Sequence, residues 1–232
     1  MNKTSWIIFT VFTAGILALL IFTSGSSRLD VSKVDTNAIQ VANVQNGKIA
    51  DHVFGKVGSK VTLVEYGDFQ CPPCASIYPK IKAISEQYKD QIQVVFRNFP
   101  IATSHPNAKA AAATAEAAGL QGKYWEMHDK IYEQQSSWSE LPGTERTVFF
   151  EGLAKEIGLD ITKFNNDVAK VSITDKINYD YAIGKKAGVQ GTPSFYLNGV
   201  QLESTTFGDD AKLKAAIDSE LKKAKIAPPV IN

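Results

Sequence analysis

The chain has few of the residues that build metal sites. Its 232 residues include two cysteines and three histidines. A structural metal site needs about four ligands, usually as pairs at short spacing. The histidines His52, His105 and His128 are scattered along the chain, and no second close pair joins the cysteines. The sequence therefore predicts no metal site.

Net charge is almost absent as well. The chain carries 25 basic and 24 acidic residues, a formal net charge of +1. Such a chain has no overall field to attract nucleic acid or an anionic surface, so we expect no nucleic-acid partner. The length suggests one to two domains, and the composition is that of an ordinary globular protein without internal repeats.

The N-terminal segment differs from the rest. Trp6–Phe22 contains no charged residue over 17 positions and follows Lys3. This length is at the lower edge of what spans a bilayer and exceeds the roughly 7–15 residues of a signal-peptide core. We expect residues 1–23 to be a membrane anchor, followed by a polar linker over 24–40. Cleavage within Thr23–Ser27 stays open, and both outcomes place the remaining chain outside the cytoplasm.

The two cysteines lie where a predicted strand turns into a helix. The stretch Val61–Tyr78 contains Cys71 and Cys74 at this turn. A gap of two residues lets two thiols form a disulfide only where the backbone curls as in a first helical turn, and Pro72 supplies the required φ. Cys71 would then be the N-cap, where unpaired N–H groups and the helix dipole favour a thiolate.

Three other interpretations of this cysteine pair are weaker. A structural disulfide closing a four-residue loop stabilises by only about 2 kcal/mol, against roughly 5 kcal/mol for a loop of a hundred residues. A metal site would need about two further ligands close to the cysteine pair, and the sequence has no second pair of ligands at short spacing. Two unrelated buried thiols would share this spacing and this place in the chain only by coincidence. The sequence therefore favours redox chemistry.

The order of predicted elements indicates an α/β fold. Val61–Tyr66 is apolar on both faces except for Glu65, which is typical of a central strand covered by helices. Gly55 and Gly58 mark a loop before it. The helix after Cys74 leads to a second strand, Gln93–Phe99, and together these elements predict a parallel strand–helix–strand unit.

The rest of the chain predicts a helical insertion and a closing hairpin. Residues 106–188 show helical patterns without a strand. Pro193–Leu197 reads as a strand, Asn198-Gly199 is a two-residue turn signal, and Ala211–Lys225 is a last helix. The folded domain is predicted over 41–227, with a tail at 228–232.

These motifs together resemble the DsbA type of thioredoxin-fold thiol:disulfide oxidoreductases, which in bacteria are membrane-anchored or secreted. The resemblance covers about Gly47 to Lys225. It rests on the segments VTLVEYGDFQCPPC and QGTPSFYLNG, which contain Glu65, Cys71-Pro72-Pro73-Cys74 and Gly191-Thr192-Pro193.

The resemblance implies a thioredoxin fold with an inserted helical subdomain, and a redox-active disulfide with no other cofactor. Pro193 is then expected to be a cis-proline facing Cys71, and Thr192 to offer backbone bonds to an extended substrate. Glu65 is expected to be a buried acid that exchanges a proton with Cys74.

Residues near these motifs receive smaller roles. Asp68 and Gln70 lie on the turn before Cys71, and the sequence assigns them no function. His105 precedes a predicted helix start and is expected to cap that helix.

The function implied is an oxidase that donates the Cys71–Cys74 disulfide to reduced secreted or surface proteins. By the same resemblance, a quinone-coupled membrane protein of the DsbB or VKOR kind would reoxidise it, and we expect a monomer. Pro73 stands where the best-known DsbA pattern has a histidine, so a reductase or isomerase fed by a membrane electron donor stays open. A non-catalytic thioredoxin-like chaperone is a third hypothesis.

Overall fold

A mixed β-sheet forms the centre of the computed structural model, which describes residues 29–229. Its five strands lie in the order β1-β3-β2-β4-β5. Strands β2 and β3 are parallel, and the other neighbouring pairs are antiparallel. The bounds are β1 Val53–Gly55, β2 Thr62–Gly67, β3 Gln93–Asn98, β4 Ser194–Leu197 and β5 Val200–Gln201.

The central strand is the one that the sequence predicts. Every residue of β2 is buried, and it pairs with β3 on one side and β4 on the other. An apolar run covered on both faces is the usual sequence of such a strand. The predicted parallel pair of β2 and β3 is confirmed.

The edge strand β1 falls where the sequence predicts a loop. It has three residues, and Gly55 ends it with a φ of +84°. Val53 pairs with Val95 of β3. So short a segment has no periodicity of its own, and the free edge of β3 supplies its hydrogen-bond partners.

The predicted hairpin is confirmed. Asn198 and Gly199 have φ angles of +47° and +80° between β4 and β5. Both central residues of a type I′ turn need positive φ, which asparagine and glycine tolerate best.

The helices divide between the sheet and an insertion. Helix α1 (Pro72–Tyr88) joins β2 to β3, and α9 (Asp210–Ala224) follows the hairpin and a short helix α8 (Ser204–Phe207). Between β3 and β4 the described chain contains only helices, as the sequence predicts. They are α2 Ala108–Gly119, α3 Tyr124–Glu133, α4 Gln135–Trp138, α5 Gly143–Glu156, α6 Ile161–Val168 and α7 Val171–Ala187.

Two apolar cores result. One lies among β2, β3, β4, α1 and α9, where the last helix contributes Leu213, Ile217 and Leu221. The other fills the helical insertion and includes Cys71 and Cys74. The cysteine pair therefore lies where the insertion packs against the sheet.

A group of buried charges lies beside β3, and we call it the paired cluster. It consists of Asp51, Arg97, Lys176 and Asp180, whose side chains are at most 1% exposed. Arg97 Nη2 lies 2.8 Å from Asp51 Oδ2, and Lys176 Nζ lies 3.0 Å from Asp51 Oδ1 and 2.7 Å from Asp180 Oδ1. Each buried charge thus has an opposite charge in contact.

Part of the predicted linker 24–40 is held by the same cluster. The Arg97 guanidinium donates to the backbone carbonyls of Thr36 and Ala38. The backbone N–H of Gln40 donates to Asp51. Residues 36–40 therefore pack on the domain.

The predicted anchor at 1–23 lies outside the described residues, as do the last three residues of the tail. Within 29–229, no helix has both the length and the apolar character needed to cross a membrane.

Candidate active site

The two cysteines occupy the first turn of α1. Cys71 is the N-cap residue, and Pro72 is the first helical residue. Both sulfurs are free thiols with little exposed surface, 4% for Cys71 and 0% for Cys74. The proline sets the φ that starts the helix, and this brings the backbone N–H groups of the first turn to the Cys71 side chain.

The loop before β4 lies against the first cysteine. The peptide bond between Thr192 and Pro193 is cis. Cys71 Sγ lies 3.4 Å from the Thr192 carbonyl oxygen, to which it donates when it is protonated. Residues 121 positions apart in the chain therefore meet at one sulfur, in the arrangement that the resemblance implied.

The pKa of Cys71 is low for a thiol. A hydrogen bond from the Cys74 thiol contributes most to lowering it from 9.0 to about 6, although burial acts in the opposite direction. The Thr192 hydroxyl and the Cys74 backbone N–H lower it further, whereas the charge of Asp68 raises it. Thr192 Oγ1 is buried and has no hydrogen-bond partner of its own, so its proton is available to a Cys71 thiolate. At neutral pH Cys71 is mostly ionised.

The pKa of Cys74 moves in the other direction. Burial raises it well above 9.0, and the hydrogen bond to Cys71 and the charge of Glu65 add to this shift. Two thiols three residues apart therefore differ in their protonation. One is a thiolate that faces the Thr192 loop, and the other is a protonated thiol inside the molecule.

Glu65 is a buried acid on the central strand. It is 6% exposed, and no described residue forms a hydrogen bond with its carboxyl group. Burial raises its pKa from 4.5 to about 8, and the charge of Cys71 adds to this. A Cβ at Gly67 would lie 3.2 Å from Glu65 Oε1 and 2.2 Å from the Phe96 ring, so the absence of a side chain at Gly67 leaves room for both. Glu65 is thus a carboxyl group that can hold or release a proton near neutral pH.

Asp68 has structural contacts that the sequence did not indicate. Its carboxylate accepts from the backbone N–H groups of Gln70 and Ile101, both at 2.8 Å. His105 Nδ1 lies 2.7 Å from Asp68 Oδ2. The expected capping role of His105 is wrong, since Asn107 is the N-cap of α2 and the imidazole pairs with Asp68. Contacts over more than thirty residues leave no local pattern in a sequence.

Glutamines tie the cysteine turn to the insertion. Gln70 donates to the Ser139 carbonyl and accepts from the Asn107 backbone N–H. Gln135 Nε2 donates to the carbonyl oxygens of Phe69 and Cys71, at 2.7 and 3.0 Å. The helical insertion therefore fixes the backbone that presents Cys71.

The fold and this asymmetric thiol pair together define a class, the thioredoxin-fold thiol-disulfide oxidoreductases. A family model described as thioredoxin matches residues 47–219, and the chain belongs to this family. Within residues 29–229, no group of three or more His, Cys, Asp or Glu side chains is placed to hold a metal ion.

Curated relatives are of two kinds. The probable disulfide bond formation protein D of Bacillus anthracis is 35% identical over 175 residues, which cover 73% of this chain and 77% of that protein. The Na(+)/H(+) antiporter NhaA 1 of Salinispora arenicola is 34% identical over 178 residues, covering 77% of this chain and 26% of the antiporter. The chain spans about a quarter of the length of the first curated relatives that it matches.

Solved structures show the same fold. Oxidised BdbD from Bacillus subtilis superposes with a TM-score of 0.65 at 23% identity, covering 80% of this chain and 98% of that one. A thioredoxin-like oxidoreductase from Silicibacter pomeroyi gives 0.58 at 26% identity, with 74% and 92% coverage. Wolbachia pipientis α-DsbA1 gives 0.65 at 22% identity, with 75% and 92% coverage. The predicted fold class is confirmed.

Proposed function

We propose that this protein is a dithiol oxidase that donates the Cys71–Cys74 disulfide to reduced secreted or surface proteins. The observation that carries the proposal is the unequal acidity of the two thiols. With a pKa of about 6, Cys71 is a good leaving group. A stabilised Cys71 thiolate also stabilises the reduced protein, and this makes the oxidised form a strong oxidant.

The reaction has two exchange steps. A substrate thiolate attacks the sulfur of Cys71, the Cys71–Cys74 bond breaks, and Cys74 leaves as a thiolate. Glu65 gives its proton to this buried thiolate, which is why a carboxyl pKa near 8 suits the step. A second substrate thiolate then attacks the substrate sulfur of the mixed disulfide and releases Cys71 as a thiolate. Two electrons pass from the substrate dithiol to the cysteine pair.

The Thr192–Pro193 loop would hold the substrate chain. It lines an open groove of about 450 Å³ together with Gly191, Ser194 and Gln201. The Thr192 carbonyl lies next to Cys71, so an extended chain that pairs with this backbone places its cysteine against the reactive sulfur. Recognition of backbone alone explains how one site accepts unrelated proteins.

The setting of the reaction follows from the same proposal. The Bacillus relative is named a probable disulfide bond formation protein, which supports a location outside the cytoplasm, where disulfides persist. Residues 1–23 would anchor the domain at 41–227 to the membrane, or be cleaved. A quinone-coupled membrane protein would reoxidise the cysteine pair, and the protein would act as a monomer.

A reductase or isomerase is the second candidate, because Pro73 provides no backbone donor before Cys74. Equilibration of the pair with glutathione separates the two. We expect a reduction potential between about −180 and −120 mV, the range of known oxidants. A value below about −250 mV, close to that of thioredoxin, would contradict the oxidase assignment.

Replacement of single cysteines tests whether the thiols of this protein take part in disulfide formation. Cys71→Ser should lower disulfide formation in a reduced, unfolded substrate protein at least about 100-fold, because the attacked sulfur is gone. Cys74→Ser is the matched control, since it keeps Cys71 and should accumulate a mixed disulfide seen by mass spectrometry. Full activity of the Cys71→Ser protein would favour the chaperone hypothesis instead.

A further inference from the structure

Helix α3 carries an unusual set of buried polar atoms. Four side-chain atoms on this one helix are buried without a hydrogen-bond partner: Tyr124 Oη, Trp125 Nε1, His128 Nε2 and Tyr132 Oη. About nine in ten buried polar groups in proteins are paired with protein atoms or ordered water. Four exceptions on ten residues therefore indicate water inside the protein.

A cavity of suitable size lies next to this helix. Its volume is about 40 Å³, and its lining includes Glu65, Trp125 and His128. A water molecule needs roughly 10–15 Å³ of such volume and two or more polar partners. Three residues of the lining carry polar groups without a protein partner: Glu65 has its carboxyl group, and His128 Nε2 and Trp125 Nε1 are buried and unpaired. The cavity therefore has room for a small number of water molecules between the acid and the imidazole.

The other side of His128 leads to the surface. His128 Nδ1 lies 3.0 Å from Asp129 Oδ1, and Asp129 Oδ2 lies 2.8 Å from Lys82 Nζ. The side chain of Asp129 is 26% exposed, and that of Lys82 is 41% exposed. His128 thus has one nitrogen, Nε2, that is buried without a protein partner, and a second nitrogen bonded to a carboxylate that solvent reaches.

We propose that His128 and the water in this cavity carry protons between Glu65 and solvent. The proposal rests on the proposed function, because it supplies the proton that Glu65 gives to Cys74. The Asp129 carboxylate accepts from Nδ1–H, so Nε2 of the neutral ring is its acceptor nitrogen. When Glu65 releases a proton, water passes one to Nε2 and the ring gives its Nδ1 proton to Asp129, and the reverse sequence returns a proton to Glu65. Only N–H and O–H bonds form and break in this relay, and no electrons are transferred. His128 acts through Glu65 and is a positioning residue.

The surroundings of the imidazole suit this role. The charged and titratable groups that line the same cavity are Glu65 from β2, Tyr78, Lys82 and Glu86 from α1, and Asp129 from α3. Strands β1 and β3 contribute only apolar side chains there. Burial lowers the pKa of His128, although Asp129 acts in the opposite direction. A neutral imidazole has one donor and one acceptor nitrogen, which is what passing a proton requires.

Two replacements of His128 test the proposal. His128→Gln keeps a polar side chain that binds water but does not pass a proton, and His128→Phe keeps the ring and removes the nitrogens. We measure the rate at which dithiothreitol reduces the Cys71–Cys74 disulfide from pH 5 to 9, in H₂O and in D₂O. Both variants should react at least about fivefold more slowly above pH 8, where Glu65 has lost its own proton before the exchange, and should show a larger solvent isotope effect.

The matched control is His52→Gln. His52 also pairs with a buried carboxylate, Glu116, at 2.9 Å, and its ring stacks on Tyr124 at 3.8 Å, but it does not line the cavity. This variant should stay within about twofold of the unchanged protein at every pH. Equal slowing in all three variants would mean a structural effect and would overturn the proposal.

The unchanged protein gives a test that does not depend on folding of a variant. A high-resolution crystal structure should show ordered water within hydrogen-bond distance of both Glu65 and His128 Nε2, and a dry cavity would overturn the proposal. Wild-type exchange rates in the His128 variants would also overturn it and leave the proposed function intact. Failure of the unchanged protein to exchange with protein thiols would instead contradict the proposed function.

Discussion

Two buried acids, one beside the sheet and one within its central strand, behave in opposite ways. Asp51 is part of the paired cluster, where the charges of Lys176 and Arg97 outweigh burial and lower its pKa to about 2. Glu65 has no partner, and burial raises its pKa to about 8. Both side chains are removed from water, so burial alone does not decide the charge of a carboxyl group.

The opposite pKa shifts of Asp51 and Glu65 distinguish a site that stabilises the fold from a site that can exchange protons. A carboxylate with two cations in contact stays charged over the whole physiological range and holds its neighbours in place. A buried carboxyl group without a cation in contact has a raised pKa and can exchange its proton near neutral pH. In this protein the paired cluster fastens residues 36–40 to the domain, and the unpaired acid lies under the cysteine pair.

The largest effect is expected from breaking the paired cluster. Arg97→Met leaves Asp51 with one of its two cations and frees the carbonyls of Thr36 and Ala38. We expect the free energy of unfolding to fall by about 3–5 kcal/mol, because the buried charge loses a partner. Urea unfolding of the oxidised protein at pH 7 measures this. The double variant Arg97→Met with Asp51→Leu should recover part of the lost free energy of unfolding, because no unpaired charge is left. A decrease below about 1 kcal/mol in Arg97→Met alone would show that the paired cluster is not a structural site.

A smaller effect, of the opposite sign, is expected at Glu65. Its pKa is raised from 4.5 to about 8 on folding. The folded protein therefore binds this proton more tightly, and the resulting stability is complete below pH 4.5 and is lost as pH rises towards 8. Glu65→Gln does not titrate, so at pH 8 it should be more stable than the unchanged protein, by about 2–4 kcal/mol relative to their difference at pH 4.5.

Oxidised protein suits this measurement, since Cys71 then carries no charge and burial remains as the cause of the raised pKa. Unfolding in urea at several pH values from 4.5 to 8 gives both curves. Parallel curves for the two proteins would show that Glu65 is not an unpaired buried acid.

The smallest effect is expected from an ion pair at the surface. Lys130 Nζ lies 3.1 Å from Glu156 Oε2, and the two side chains are 36% and 51% exposed. Water screens such a pair, so Lys130→Met should change the free energy of unfolding by less than about 0.5 kcal/mol. The same urea experiment applies. If Lys130→Met lowered the free energy of unfolding as much as Arg97→Met does, the cost of breaking an ion pair would not depend on whether the pair is buried.

Local chemistry made much of the fold predictable. The apolar run of β2, the Pro72 helix start and the Asn198-Gly199 turn each depend on residues within a few positions of one another. The edge strand β1 was missed because its partner β3 lies forty residues later. The roles of Asp68 and His105 were missed for the same reason, since their contact joins two loops.

The residues of the candidate site also fall into those that the sequence indicated and those that only the structure revealed. Sequence indicated the cysteines, the acid before them and the proline of the facing loop, because each belongs to a short motif. It did not indicate His128, whose importance comes from a cavity that α3 and the sheet form together.

By itself the sequence determined which groups can react: a thiol pair at a helix start, and one acid in an apolar strand. The tertiary structure alone decided how these groups titrate. A pKa depends on the water, charges and donors within a few ångströms of the group. In this protein one such neighbour, Cys74, lies in the same turn as Cys71, whereas Thr192 and the residues that bury Glu65 come from segments that meet only in the folded domain.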